Sequence, residues 1–252
     1  MINKNTLPLT ILAWDTAGPQ CCLALVRFAD GAPVIVDEFV SEAGGLHSQT
    51  LPPQVAAMLE RAGLRPGNLS LLAVGRGPGS FTGLRTGLAM AKGLAMGSNV
   101  PLMGVSTLDI LAALMLEGQA PGALAAPLID ARHREVYAAL YQAVEGRDGC
   151  PTPERLMEPE PLSPEAVGGR LAEIAAGRRV TVGGPGFSAV REGCRAWPES
   201  VDIGPEDVVP SAVMLARLAA ARFWESPAAV ELNPPLPMYI RPPDIRTSGI
   251  VV

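Results

Sequence analysis

The chain has 252 residues, 48% of them apolar and 18% charged, which allows a well-packed core and excludes a disordered protein. Aromatic residues are only 4%, so that core is built from Leu, Val, Ile and Ala. A net charge of −5 gives no electrostatic footprint for unaided nucleic-acid binding.

LTILAWDTA follows Lys4, but Asp15 cuts the apolar run short and no small-residue cleavage site follows, so it predicts a strand rather than an export signal. CCLALVRF is a second strand, joined to the first through GPQ as a hairpin. APVIVDEFV is a third, after an Asp-Gly turn at 30–31. HSQTLPPQVAAMLERAG predicts the first helix, with Ser48 or Thr50 as cap, Pro52 and Pro53 in the first turn and Gly63 as stop. Leu51, Val55, Leu59 and Ala62 form its apolar stripe. LSLLAVGRG is a buried strand that runs into GRGPGSFTGLRTG, residues 75–87.

Beyond that motif Leu84, Leu88, Ala91 and Ala95 keep helical spacing. PLMGV is a short strand, and STLDILAALML a helix capped by Ser106 or Thr107. A second strand set follows in APLIDAR, REVYAALYQAV and ERLMEP. SPEAVGGRLAEIAAG is a capped helix closed by Gly177, RRVTVGG a strand, PSAVMLARLAAARFW an amphipathic helix, and NPPLPMYIRPPD an extended tail. Strand-first organisation occurs twice. It predicts an α/β protein of two lobes, 1–106 and 107–252, with the last helix, about 210–225, packing back on the first lobe. Lys92, Asn99, Pro101 and Asp109 interrupt the longest apolar neighbourhood, so a membrane span is not expected and a cytoplasmic protein is. Cys21, Cys22, Cys150 and Cys194 lack CxxC spacing and read as small buried hydrophobes in a reducing compartment.

Three readings compete for residues 75–87. A phosphate loop needs a lysine, and none occurs before Lys92, although the strand–turn–helix setting still offers free N–H groups to an anion. A nucleophile turn needs glycines two places either side of Ser80, where Pro78 and Thr82 stand. Close packing is the third. Gly83, Gly87 and Ala91 recur every four residues and let another backbone approach, within this chain or across a subunit interface. Asp15 and Asp130, at strand ends, are either magnesium ligands or turn formers, and His47 and His133 are too isolated for a metal pair.

In their order, ILAWDTAGPQCCLALV, HSQTLPPQVAAML, GRGPGSFTGLRTGLAMAKGLA, PLMGVSTLDILA, LIDARHREVYAALY and MYIRP resemble the TsaB family. Its members are bacterial partners in making threonylcarbamoyladenosine next to the tRNA anticodon. The resemblance spans nearly the whole chain and is most specific over residues 75–108. It implies an actin/Hsp70-like fold of two lobes, each on a ribonuclease-H-like core. TsaB is similar to TsaD, the threonylcarbamoyl transferase, which shares the G-x-G-P-G turn and carries a metal-binding H-x-x-x-H. Here Thr107 and Leu111 stand where those histidines would fall, and neither side chain replaces an imidazole at a metal.

The implied role is therefore a non-catalytic scaffold, not an enzyme. It pairs with TsaD through its first two helices, helps recruit the ATPase TsaE, meets tRNA only within the complex and forms a homodimer in isolation. The implied partner interface is Leu51, Val55, Leu59, Gly79, Phe81, Gly83, Leu84, Gly87 and Ala91, so Gly87→Leu is expected to weaken association. Asp15 and Thr16 occupy the place of a first phosphate loop, and Gly183 and Gly184 resemble the glycines under adenosine. That vestigial set implies no tightly bound cofactor, with ATP or ADP left to the subunit junction. The alternatives are an ATPase or kinase of the same superfold using Asp15 and Asp130, and, further off, a metallopeptidase.

Overall fold

The computed structural model describes residues 8–29, 32–42, 44, 46–146, 151–191, 197–227 and 235–240. The turn at 30–31, Cys150, Cys194 and the parts of the tail outside 235–240 lie outside the described residues. The first half builds β1 (Leu9–Asp15), β2 (Cys22–Ala29), β3 (Ala32–Val40), α1 (His47–Arg61), β4 (Leu71–Gly75), α2 (Phe81–Ser98) and β5 (Leu102–Val105). Next come α3 (Thr107–Leu116), β6 (Leu124–Arg132), β7 (Glu135–Glu145), β8 (Pro151–Leu162), α4 (Pro164–Ala175) and β9 (Val180–Gly183). The chain closes with α5 (Phe187–Arg191), β10 (Val201–Ile203) and α6 (Ala212–Glu225).

Two five-stranded sheets result, ordered β3-β2-β1-β4-β5 and β10-β9-β6-β7-β8. In the first, β1–β2 and β2–β3 pair antiparallel while β1–β4 and β4–β5 are parallel. The second repeats that pattern: β6–β7 and β7–β8 are antiparallel, β6–β9 and β9–β10 parallel. Read from the opposite edge, the second sheet has the same third-second-first-fourth-fifth order. The duplicated mixed sheet is the ribonuclease-H-like core, twice, of an actin/Hsp70-like α/β fold.

Helices cover both faces of the first sheet, which is why its central strands read as unbroken apolar runs rather than alternating ones. Leu12, Trp14, Leu72 and Val74 meet Leu51, Val55 and Leu88 of α1 and α2. On the other face Ile11, Ala13, Leu71 and Ala73 meet Leu215 and Ala219 of α6. In the second half, β6, β7 and β9 bury one face under α4 and α5 through Val167, Leu171, Phe187 and Val190. The other face lies under α3 through Leu108, Leu111 and Ala112. Ile110 and Ala113, on the opposite side of α3, join the α6 cluster, so α3 and α6 form the layer between the sheets.

Local differences from the sequence expectations have simple causes. α1 starts at His47 without a side-chain cap, so neither Ser48 nor Thr50 serves. Instead the Gln49 and Thr50 N–H groups donate to the Leu46 carbonyl, and Pro52 and Pro53 fall beyond the first turn on the exposed side. α3 is capped as expected, Ser106 Oγ accepting from Leu108 N–H. Ser163 makes no cap bond to α4, and that helix closes at Ala176, one residue before Gly177, both with positive φ. α5 and β10 were not expected: five and three residues carry too few periods to show a pattern.

Candidate functional site

The glycine motif meets the β1–β2 loop at the bottom of a cleft between the two sheets. Ser80 caps α2 by accepting from Gly83 N–H at 3.2 Å, and its own N–H donates to the Ala17 carbonyl at 2.7 Å. A Cβ on Gly75 would lie 1.8 Å from Asp15 Oδ2. On Gly83 it would meet the Thr16 carbonyl at 2.0 Å, and on Gly87 the Thr16 hydroxyl at 2.3 Å. Thr16 Oγ1 donates to the Gly83 carbonyl (2.8 Å) and Trp14 Nε1 to the Gly87 carbonyl (3.1 Å). α2 thus lies flat on β1 and its loop, and only glycine permits that approach. Of the three readings, packing within the chain holds.

This overturns most of the expected partner interface. Leu51, Val55, Leu59, Leu84 and Ala91 are buried in the chain's own core, and Gly83 and Gly87 face Thr16. An apolar stripe marks the buried side of a helix but not what covers it, and here the cover is the chain's own first sheet. Gly87→Leu would disturb this fold before it touched any subunit contact. Gly79 and Phe81 remain at the cleft, with Phe81 40% exposed. The outward faces of α1 and α2, which pack on one another, carry small and apolar residues instead: Pro52, Pro53 and Ala56 on one, Ala89, Gly93 and Met96 on the other. Met96 is 86% exposed, and a Cβ on Gly93 would meet nothing.

The residues set aside for a nucleotide are closed as well. Asp15 and Thr16 are buried, and the Asp15 carboxylate accepts from Ala17 N–H (2.6 Å) and the Thr107 hydroxyl (2.8 Å). Burial pushes its pKa up, opposed by those two donors and by the charge of His47. A Cβ on Gly183 would stand 2.5 Å from the Pro205 carbonyl and one on Gly184 2.9 Å from the Leu128 carbonyl, so both glycines face the chain's own backbone. These four positions are taken up by contacts within the chain. Thr107 is occupied by Asp15 and Leu111 is fully buried. Among the described residues no group of three or more His, Cys, Asp or Glu side chains is placed to hold a metal ion.

The open feature is a cleft of about 890 Å³, lined on one side by Ser80, Phe81, Thr82 and Thr86 and on the other by Asp130, Arg132 and Tyr137. His47 stands at its rim, Nε2 donating to the Gly18 carbonyl at 3.1 Å. Two clusters at the cleft went unread in the sequence. The Arg85 guanidinium stacks 3.6 Å from the Phe81 ring centre and donates from Nε to Tyr239 Oη at 3.2 Å, which pins the tail to α2. Tail residue Met238 also donates its N–H to the Arg76 carbonyl. Across the cleft, Arg132, His133 and Arg134 all have left-handed backbone, with φ of 61, 53 and 61°. That conformation costs a non-glycine residue roughly 1–2 kcal/mol.

A family model described as TsaD, tRNA N6-adenosine threonylcarbamoyltransferase, matches residues 40–176. The tRNA threonylcarbamoyladenosine biosynthesis protein TsaB of Escherichia coli (strain K12) is 36% identical over 243 residues, 92% of this chain and 95% of that protein. The chain belongs to the TsaB family. The TsaB of Haemophilus influenzae is 30% identical over 241 residues, with 92% and 94% coverage. A solved structure, YeaZ from Pseudomonas aeruginosa, superimposes with a TM-score of 0.73 at 31% identity, over 91% of this chain and 100% of that one. In this TsaB-family chain, then, the cleft is open while the four positions expected to hold a nucleotide pack against the chain itself. No helix among the described residues is long and apolar enough to cross a membrane.

Proposed function

We propose that this TsaB-family chain is a non-catalytic scaffold of tRNA threonylcarbamoyladenosine biosynthesis, acting in the cytoplasm by pairing with TsaD and helping to recruit TsaE. The observation that carries this reading is the Asp15–Thr107 hydrogen bond at 2.8 Å. It consumes, inside a sealed packing contact, both the strand-end carboxylate and the residue standing where TsaD carries its first metal-binding histidine. The second such position, Leu111, is core. With no group of metal ligands gathered there among the described residues, the chain's contribution is a surface. We assign it to the outward faces of α1 and α2, where Ala89 and Gly93 would let a partner helix approach closely. The same faces would pair with themselves in a homodimer when TsaD is absent. ATP or ADP, where it binds at all, would then sit at the subunit junction.

The test is light scattering after size exclusion, combined with transfer of threonylcarbamoyl to tRNA. The chain by itself should transfer nothing, form a heterodimer with TsaD and support transfer in the mixture. Gly93→Leu, which meets open space in the monomer, should leave folding intact and weaken the heterodimer at least tenfold. Transfer by the pure chain, or no association with TsaD, would sink the proposal.

A further inference from the structure

We propose that the β6–β7 turn, with Arg132, His133 and Arg134, is this protein's own contact to the sugar–phosphate backbone of a single-stranded RNA loop. Phe81, backed by Arg85, would supply a stacking surface across the same cleft. The inference rests on the tRNA-modification reading above and adds to it the site at which the RNA is held.

Arg132 pairs with Glu135, so His133 and Arg134 form a two-residue hairpin turn with positive φ at both central positions. Such turns select Asn-Gly or similar residues, because those tolerate left-handed backbone. Here two bulky side chains occupy the turn, and a third residue before it shares the same conformation. All three are exposed. Backbone held in sparsely populated conformations clusters where side chains serve a ligand.

The chemistry of the cleft suits RNA. Arg132 lines one wall, its N–H held by Asp130 Oδ1 at 2.7 Å. A guanidinium fork matches phosphate oxygens. On the opposite wall Phe81 is half-exposed, its ring packed against the Arg85 guanidinium and Tyr239, and unstacked RNA bases pile on the exposed parts of such rings. Ser80, Thr82 and Thr86 add hydroxyls to the Phe81 wall. An acidic protein segment would use the arginines but not the stacking wall. Because the chain carries a net charge of −5, the contact adds affinity to an assembled complex rather than capturing RNA unaided.

The probe is a fluorescent anticodon stem-loop titrated, at several salt concentrations, into the chain assembled with TsaD. Arg132→Gln/Arg134→Gln should raise Kd about tenfold and lower the slope of log K against log salt by about 1.4, as expected for two lost single-strand phosphate contacts. Phe81→Ala should weaken binding severalfold with the slope unchanged, since stacking is not ionic. His133→Asn/Arg134→Gly, which gives the turn the residues its geometry prefers, should raise Tm by a few degrees while losing RNA affinity. Arg27→Gln, on an exposed position of β2, should change nothing.

Unchanged affinity and slope in the double arginine variant would overturn the proposal. So would displacement of the RNA by ATP that needs the same arginines, which assigns the turn to a free nucleotide. Loss of TsaE recruitment at unchanged RNA affinity would assign it to a protein and overturn it equally. Light scattering of the same samples separates the two levels: a wild-type chain that never joins TsaD defeats the scaffold reading, whereas intact complexes with unaltered RNA binding defeat this inference only.

Discussion

Two buried carboxylates show how neighbours decide the fate of the same side chain. Desolvation is the largest influence on both Asp15 and Asp109. Asp109 accepts from Tyr141 Oη at 2.8 Å and pairs with Arg155 and Arg222 at 2.6 Å each, and the guanidiniums outweigh burial to hold its pKa below the ordinary value of 3.8. Asp15 has neutral donors and only the charge of His47 nearby, so burial prevails and its pKa rises. The pH dependences are therefore opposite. Above pH 3.8 the unfolded state has released the Asp15 proton while the folded state still binds it, so Asp15's contribution falls as pH rises toward its folded pKa. Asp109's contribution is complete above pH 3.8 and is lost as pH falls through its lower folded value. Asp15→Asn should thus keep the fold and flatten the decline in stability just above pH 3.8, read by denaturant unfolding across a pH series. A steeper decline would show that the carboxylate is favoured in the fold. Asp109→Asn should cost roughly 3 kcal/mol at pH 7, the low end for breaking a buried pair, because Arg222 keeps 40% of its side chain exposed.

Glycines on α2 separate into two kinds that spacing cannot tell apart. Gly87 faces Thr16 and Gly93 faces open space, though both sit in one helix of small residues. In the isolated chain, Gly87→Ala should therefore destabilise by about 1–3 kcal/mol through overpacking. Gly93→Ala should instead stabilise by about 0.5–1 kcal/mol, because it removes backbone freedom from the unfolded state. Chemical denaturation of the two variants checks both signs, and a loss at Gly93 would mean that α2 is already covered on that side. The helix itself was legible: Leu84, Leu88, Ala91 and Ala95 keep helical spacing. Which neighbour it meets was not, because a helical period records burial and carries no address. The same limit explains α1, whose Leu51–Val55–Leu59 stripe went to the chain's own sheet.

At the scale of the molecule, α6 returns from the end of the sequence to the first sheet, where Phe28 meets Trp224 edge-on with ring centres 5.6 Å apart. Together with the Asp109 cluster, which ties α3 to β7, β8 and α6, it locks the halves across a shared helical layer. Ending the chain before Ser211 should uncover Ile11, Ala13, Leu71 and Ala73, and soluble expression with a native near-UV spectrum would contradict that arrangement. By itself the sequence determined the strand-first halves, most helices, the aliphatic core and the family, because period, caps and an ordered set of motifs are local properties of a chain. Only the tertiary structure decided that Asp15 closes on Thr107 across 92 positions, that the glycine face of α2 turns inward, and that Phe81 and Arg132 confront one another across a cleft. Those are choices of packing partner, fixed by how the strands and helices share surface rather than by any window of residues.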